Sequence, residues 1–361
     1  MPFVLSIKDT YRQAVESATG GKNTVMYDDK GNPSVMVCIP KFNLSDVING
    51  APNVPHPAFV VNGVVKSEIW ISKYQNIVHD GRAYSIPFLN PKTSVTYDQA
   101  KQYSAAKGPG WHLMTNAEWA AIALWCKKNG FMPRGNNSYG KDHSAPHERG
   151  KVTYKYTSGG TEYEGRVATG SGPASWAHNG MNDGIFDLNG NVWEWVDGLK
   201  LIDGKIYVHQ DNNYNTPEGP RVVDQWVDTG VYFDNTTTGD ANTTDHDVGA
   251  DPVLGSERTN PMFTTDPSSD AYYGYSYTTF ETLGAKSGFT VPDLLKYLAI
   301  APIDANHSGD GIWVRNYGER LPIRGGYWAD GASAGVFALN LRYARAHSSS
   351  TLGFRSAYIA P

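Results

Sequence analysis

Ten histidines and two cysteines carry much of the metal-binding and nucleophilic capacity of this 361-residue chain, and their spacing limits what chemistry they can do. His56, His79, His112, His143, His147, His178, His209, His246, His307 and His347 are spread along the whole length. His143 and His147 have the four-residue interval that would put two imidazoles on one helix face, but Pro146 between them argues against a helix. They read as solvated loop histidines. Cys38 (in VMVCIP) and Cys126 (in ALWCKK) lie in apolar surroundings and read as buried free thiols, too few for a disulfide scaffold or a Cys-rich metal site. Two carboxylates, Asp187 and Glu194, stand in GIFDLNGNVWEWVDG at 184–198. Trp193 and Trp195 alternate about Glu194 as in a strand, with Asn189-Gly190 as the preceding turn, so both acids read as buried hydrogen-bond partners rather than catalytic groups.

The elements that must position these residues are short. Charged residues make up 19% of the chain while Gly (38), Tyr (22) and Trp (10) are abundant, a mix that favours turns, short strands and aromatic packing. Residues 6–18 place Ile7, Tyr11, Ala14, Val15 and Ala18 at helical spacing, ended by Gly20-Gly21. Apolar runs at 24–27 and 34–39 flank DDKGNP and predict a hairpin. Segment 1–55 thus reads as a helix plus hairpin that serves as a small N-terminal unit or attachment segment, and 56–361 as the main domain. Runs at 58–61 and 64–72 meet across Asn62-Gly63, a dipeptide suited to a tight hairpin turn. Thr96 with Gln99, and Thr115 with Glu118, have capping-box spacing and predict two helix starts. Segments 130–180 and 199–285 read as long ordered loops with short hairpins, one of them at 199–208 around Asp203-Gly204. A further helix is predicted over 291–300, stopped by Pro302.

Net charge is −5 and no Lys/Arg run occurs, so there is no basic field for phosphates and nucleic acid is not expected as a partner. The opening MPFVLSIKDTYRQAVES lacks the features of a secretory signal, and no apolar run approaches membrane-spanning length. The expected product is made in the cytoplasm without membrane insertion, and can still leave by lysis, in a phage particle or through dedicated secretion.

The 184–198 segment resembles the signature of the formylglycine-generating-enzyme and sulfatase-modifying-factor family. KYQ (73–75), TYDQAKQYSAAKG (96–108), HLMTNAEW (112–119), RGGYW (324–328) and LGFR (352–355) follow the family order. The resemblance implies an α+β, C-type-lectin-type fold of the formylglycine-generating-enzyme subtype, with long loop insertions. It also implies what is missing. The family's oxidases need a cysteine pair after the RGG-x-W motif, and residues 329–361 contain no Cys. The related iron-dependent sulfoxide synthases use a histidine cluster, whereas the histidines here are scattered.

RGGYWADGASAGVFALNLRYARAHSSSTLGFRSAYI (324–359) resembles the variable region of target proteins of diversity-generating retroelements, with GVFALNL at 335–341 the most specific piece. In that family, mutagenesis directed at adenines rewrites AAY codons within a fixed scaffold and never yields Lys, Glu, Gln, Met or Trp. By the family pattern the variable positions are Tyr327, Ala329, Asp330, Ser333, Arg342, Tyr343, His347, Ser349 and Thr351, and every residue there belongs to the permitted set. Tyr327, Tyr343 and Arg342 are the adaptable contact types that dominate paratopes.

The resulting expectation is a non-enzymatic, hypervariable display protein, a phage or prophage receptor-binding protein whose ligand is a protein or glycan on a target cell. The alternative is a formylglycine-generating-enzyme-like or iron-dependent oxidase with a displaced metal site. A calcium-dependent lectin is disfavoured because the EPN and QPD tripeptides do not occur. No cofactor is expected, with room left for a structural calcium at 211–213 or 240–247. Oligomerisation is left open.

Overall fold

A computed structural model describes residues 9–237, 250–261 and 274–361. The helix Thr10–Thr19 begins at Asp9, whose carboxylate accepts the Arg12 N–H (2.9 Å), and ends on Gly20 at φ 59°, a left-handed conformation that glycine adopts without strain. Asn23–Tyr27 and Pro33–Pro40 then pair antiparallel, forming the expected hairpin. Pro33–Pro40 goes on to pair with Glu68–Ser72, and Ser356–Tyr358 inserts between Glu68–Ser72 and Trp111–Leu113. The C-terminal strand therefore occupies an inner position in the sheet that the first strands open. The Asn62-Gly63 turn joins Val60–Val61 to Val64–Val65 with positive φ at both residues (50° and 76°), as a primed hairpin turn requires.

Among the described residues, three two-stranded hairpins stand apart and a second, eleven-stranded sheet holds the remaining strands. At its middle Gly335–Tyr343 lies between Gly311–Val314, to which it runs parallel, and Glu319–Gly325, to which it runs antiparallel. Its first eight residues are buried, as the near-continuous apolar run 336–341, broken only by Asn340, implies. The segment 199–285, expected as long loops with short hairpins, contains the predicted 199–208 hairpin and supplies more sheet beyond it than its composition suggests. Leu199–Ile202, Lys205–His209, the ten-residue Trp226–Asn235 and Pro252–Gly255 form an antiparallel run, because neighbouring strands pair off backbone groups whatever the polarity of the exposed faces. Asp240–Asp247, the second candidate calcium loop, and His246 lie outside the described residues.

Both predicted capping boxes are present, at Thr96/Gln99 and Thr115/Glu118. The helix Asn116–Lys128 is apolar nearly all round and is buried along most of its length. Trp119 packs it on the central strand by donating its Nε1–H to the Val336 carbonyl (2.7 Å). The helix predicted over 291–300 shrinks to Asp293–Tyr297. The backbone turns left-handed at Ala299 (φ 48°), which ends the helix, and the freed carbonyls of Leu298 and Ala299 accept from the side chains of Asn116 and Arg324. Among the described residues no helix is long and apolar enough to cross a membrane.

Candidate ligand-binding site

The frame of the site is a set of buried polar pins. Arg355 of LGFR makes a two-pronged ion pair with Glu194 (2.6 and 2.6 Å), and Gln75 of KYQ donates to the same carboxylate (3.0 Å). Arg324 of RGG is fully buried and donates to the Asn116 side chain (2.6 Å) and the Ala299 carbonyl (2.8 Å), while burial lowers its guanidinium to about 9. Asp187 accepts the Gly170 N–H (2.8 Å), and burial raises its carboxyl to about 6 against the pull of that bond and of Arg355. Asp187 and Glu194 are thus buried hydrogen-bond partners, as their sequence context suggests.

From this frame emerge two loops, 326–334 before the central strand and 344–351 after it. Bulges between the central strand and Glu319–Gly325, at Leu321/Ile323 and Arg324/Gly325, bend the pair where the loops depart. Of the nine positions expected to vary, Tyr327, Asp330, Arg342, Tyr343, His347 and Thr351 line one recess of about 360 Å³, floored in part by Trp193 and Trp313. Ala329 and Ser333 line an adjoining shallow recess of about 270 Å³ together with Asp330. Ser349 lies outside both and bonds to the Thr351 hydroxyl (2.8 Å).

The recess holds its groups in a defined arrangement. The Arg342 guanidinium lies 4.4 Å from the Tyr275 ring centre and 4.8 Å from that of Tyr343, and donates to the Tyr343 hydroxyl (2.6 Å). Tyr343 stacks on His347 with centroids 3.8 Å apart. Arg342 is only 9% exposed, so it forms a wall of the recess rather than a free-standing contact. Asp330 accepts the Tyr327 N–H (2.9 Å). The residue keeps an exposed edge, but its carboxyl is densely surrounded, and burial raises it to about 7 against that bond and the Arg342 charge. At neutral pH this one group can either donate or accept a hydrogen bond.

Several contributors have no counterpart among the sequence-derived candidates. Tyr275 and Tyr277 come from the 199–285 segment, and Tyr277 bonds to the Ser333 hydroxyl (3.0 Å). From 130–180, the hairpin Lys155–Ser158/Thr161–Glu164 brings Tyr156 and Tyr163 together with Tyr139, beside Trp328. Tyr139 and Tyr163 are exposed, and this aromatic shelf adjoins Tyr327, whose ring meets Trp328 at 5.2 Å. The alternating tyrosines of YYGYSY (272–277) and the Gly159-Gly160 turn are the sequence signals that mark these pieces.

The remaining candidates go elsewhere. His56, His112 and His178 are buried in hydrogen bonds to the Tyr297 carbonyl, Glu118 and the Ile185 N–H, while His143 and His147 are exposed in a loop. Both cysteines are free, but Cys38, expected to be buried, is only half-buried, because its face of an inner strand lines an open recess with Gly20, Gly21 and Phe42, beside Glu68. Burial, and then the Glu68 carboxylate, push its thiol up to about 12, and burial pushes Cys126 higher still. In the first candidate calcium loop, Asn212 spends its side chain on Ala58, Thr115 and Glu118.

A strand-rich domain whose last strand completes its first sheet, pinned by arginines of RGG and LGFR, defines a sulfatase-modifying-factor type of fold. The chain belongs to the family of sulfatase-modifying factor enzyme 1-like domains, whose model matches residues 13–224. The match takes in the N-terminal helix and hairpin and ends before the 324–359 segment. Similar solved structures include PvdO from Pseudomonas aeruginosa, at 16% identity over 93% of this chain and 97% of that one (TM-score 0.36). Treponema denticola variable protein 1 is 14% identical over 93% and 98% (TM-score 0.32). The U1 variant of the Major Tropism Determinant is 12% identical over 93% and 71% (TM-score 0.32). No curated protein matches the chain.

Proposed function

We propose that this chain is a non-enzymatic display protein whose 324–359 segment is diversified by a retroelement, acting as the receptor-binding protein of a phage or prophage. One observation carries the reading. Eight residues chosen from a sequence pattern, spread from 327 to 351, converge on two adjoining recesses, while the strand between them is buried frame. Such a division lets contacts be rewritten without refolding. Loops held on a rigid sheet lose less entropy on binding, and several copies on one particle would add avidity. The ligand is a protein or glycan of a target cell surface. Oxidase chemistry at the family's thiol position is disfavoured, because residues 329–361 lack Cys and both existing thiols are held protonated at neutral pH by burial.

Sequencing the locus across related isolates tests this proposal. The expected result is a near-identical non-coding repeat of the 324–359 coding segment beside a reverse transcriptase gene, with differences between isolates confined to the nine codons. A locus without the repeat, or variation spread evenly over the segment, would overturn it.

A further inference from the structure

We propose that Asp197, His209 and Glu218 form a binding site for a divalent transition-metal ion of the zinc type, at the root of the loop that carries the variable side chains. The inference is independent of the display reading. The three residues come from different pieces of chain. Asp197 follows the Trp193–Trp195 strand, His209 ends the Lys205–His209 strand, and Glu218 lies in the connection to Trp226. One ligand atom from each lies within 4.8 Å of the others. Asp197 and His209 are 1% and 3% exposed.

The unsatisfied atoms point to a ligand. Neither ring nitrogen of His209 has a hydrogen-bond partner, and neither does Glu218 Oε2, although all three atoms are buried. Buried polar atoms are rarely left in that state, since losing water without replacement is costly. His209 Nε2 sits 3.8 Å from Asp197 Oδ1. Two donors bound tetrahedrally at about 2.1 Å from one ion stand roughly 3.4 Å apart, so the His209–Asp197 pair needs a shift of a few tenths of an ångström, while Glu218, within 4.8 Å of both, closes on the ion by a side-chain movement.

The open donors are His209 and Glu218, while Asp197 would share an oxygen between the ion and its present hydrogen bonds. Lys101 bonds Asp197 Oδ2 (2.5 Å), and Tyr97 and the Gly198 N–H bond Oδ1 (2.5 and 2.7 Å). Lys200 and Arg345 both donate to Glu218 Oε1 (2.9 and 2.5 Å), leaving Oε2 as the open donor. Arg345 also pairs with Asp98 and Glu319, so four carboxylates face three cations and the cluster is net negative before an ion enters. Three protein donors leave one tetrahedral position for a water. Arg345 sits between Tyr343 and His347 in the chain, so an ion on Glu218 would brace the loop through that ion pair.

The test is a calorimetric zinc titration of the full chain after chelator treatment, paired with thermal melting. Wild type should take up one equivalent of zinc and melt a few degrees higher with it. His209→Phe, which keeps a ring against Trp226 (4.3 Å), should lose both effects while retaining the wild-type circular dichroism spectrum. Glu218→Gln, which still offers Lys200 and Arg345 an oxygen, should weaken uptake at least tenfold and serves as the deciding variant if the phenylalanine protein does not fold. A double His143→Ala/His147→Ala variant should bind like wild type. No stoichiometric uptake by wild type, uptake undiminished in the folded His209 or Glu218 variant, or uptake lost with the loop pair would each overturn the assignment.

Discussion

Arg342 and Trp193 border the same recess, but their removal should have very different costs. Trp193 belongs to the core cluster with Trp195 and meets Trp313 edge-on at 5.4 Å, so Trp193→Ala should cost roughly 3–5 kcal/mol. Arg342 and Tyr343 hold each other through a ring-face contact and one hydroxyl bond, and Tyr327 meets Trp328 edge-on, each contact worth about 0.5–1 kcal/mol. Their triple alanine variant should therefore lose about 2 kcal/mol or less while abolishing ligand binding. Urea unfolding midpoints compare the two, and equal losses would make the trio part of the core. Asp187 gives a second residue-level expectation. Its folded carboxyl, at about 6, lies above the ordinary 3.8, so the native state holds a proton that the unfolded chain releases. Its protonated form stabilises the fold at low pH, and that contribution is lost as pH rises from about 4 through 6. Relative to Asp187→Asn, wild type should lose roughly 3 kcal/mol across that window, and parallel pH profiles for the two proteins would contradict this.

At the scale of elements, the capping boxes and the Asn62-Gly63 turn were legible because each depends on residues three or fewer positions apart. Thr115 illustrates what lies beyond that range. Its hydroxyl accepts the Glu118 N–H as the spacing implies, but it also donates to Asn212 Oδ1 (2.6 Å), ninety-seven positions away. Thr115→Ala should therefore cost about 2 kcal/mol, at the upper end for a cap, because a buried acceptor is left unpaired as well. A loss below about 0.5 kcal/mol in chemical denaturation would mean that Asn212 finds another donor. The same distinction explains the rest of the reading. The apolar run 336–341 announces a strand buried on both faces, but nothing local announces that Tyr275 and Tyr277 will wall its recess. Nor does spacing show that Asp197, His209 and Glu218 will meet, since that depends on how the Leu199–Ile202/Lys205–His209 hairpin docks. The short helix Asp293–Tyr297 errs in the opposite direction. Its periodicity runs on to Ile300, but the chain turns left-handed at Ala299, where Asn116 and Arg324 take up the carbonyls of the helix end.

On the scale of the whole molecule, one end of the chain supplies the frame and the contacts together. Leu352–Phe354 and Ser356–Tyr358 are built into two different sheets, and Arg355 between them anchors Glu194, so the variable loop is tethered immediately after its last expected position. The central strand is fixed as firmly at its start. A Cβ on Gly335 would fall 2.1 Å from Asp310 Oδ1, and Gly326, at φ 87°, has Ala334 Cβ 2.5 Å from where its own would stand. Frame and contact residues thus alternate within thirty-odd positions, and a role in display requires the two sets to differ in tolerance. The most direct measurement is a protease-resistance scan of every single substitution across 324–359 in the displayed full chain. The nine positions should accept most residue types with little loss of resistance, whereas Gly326, Gly335, the 336–341 run and Arg355 should accept almost none. A scan in which Tyr327, Asp330, Arg342, Tyr343 and His347 prove as intolerant as that frame would contradict a rewritable binding surface.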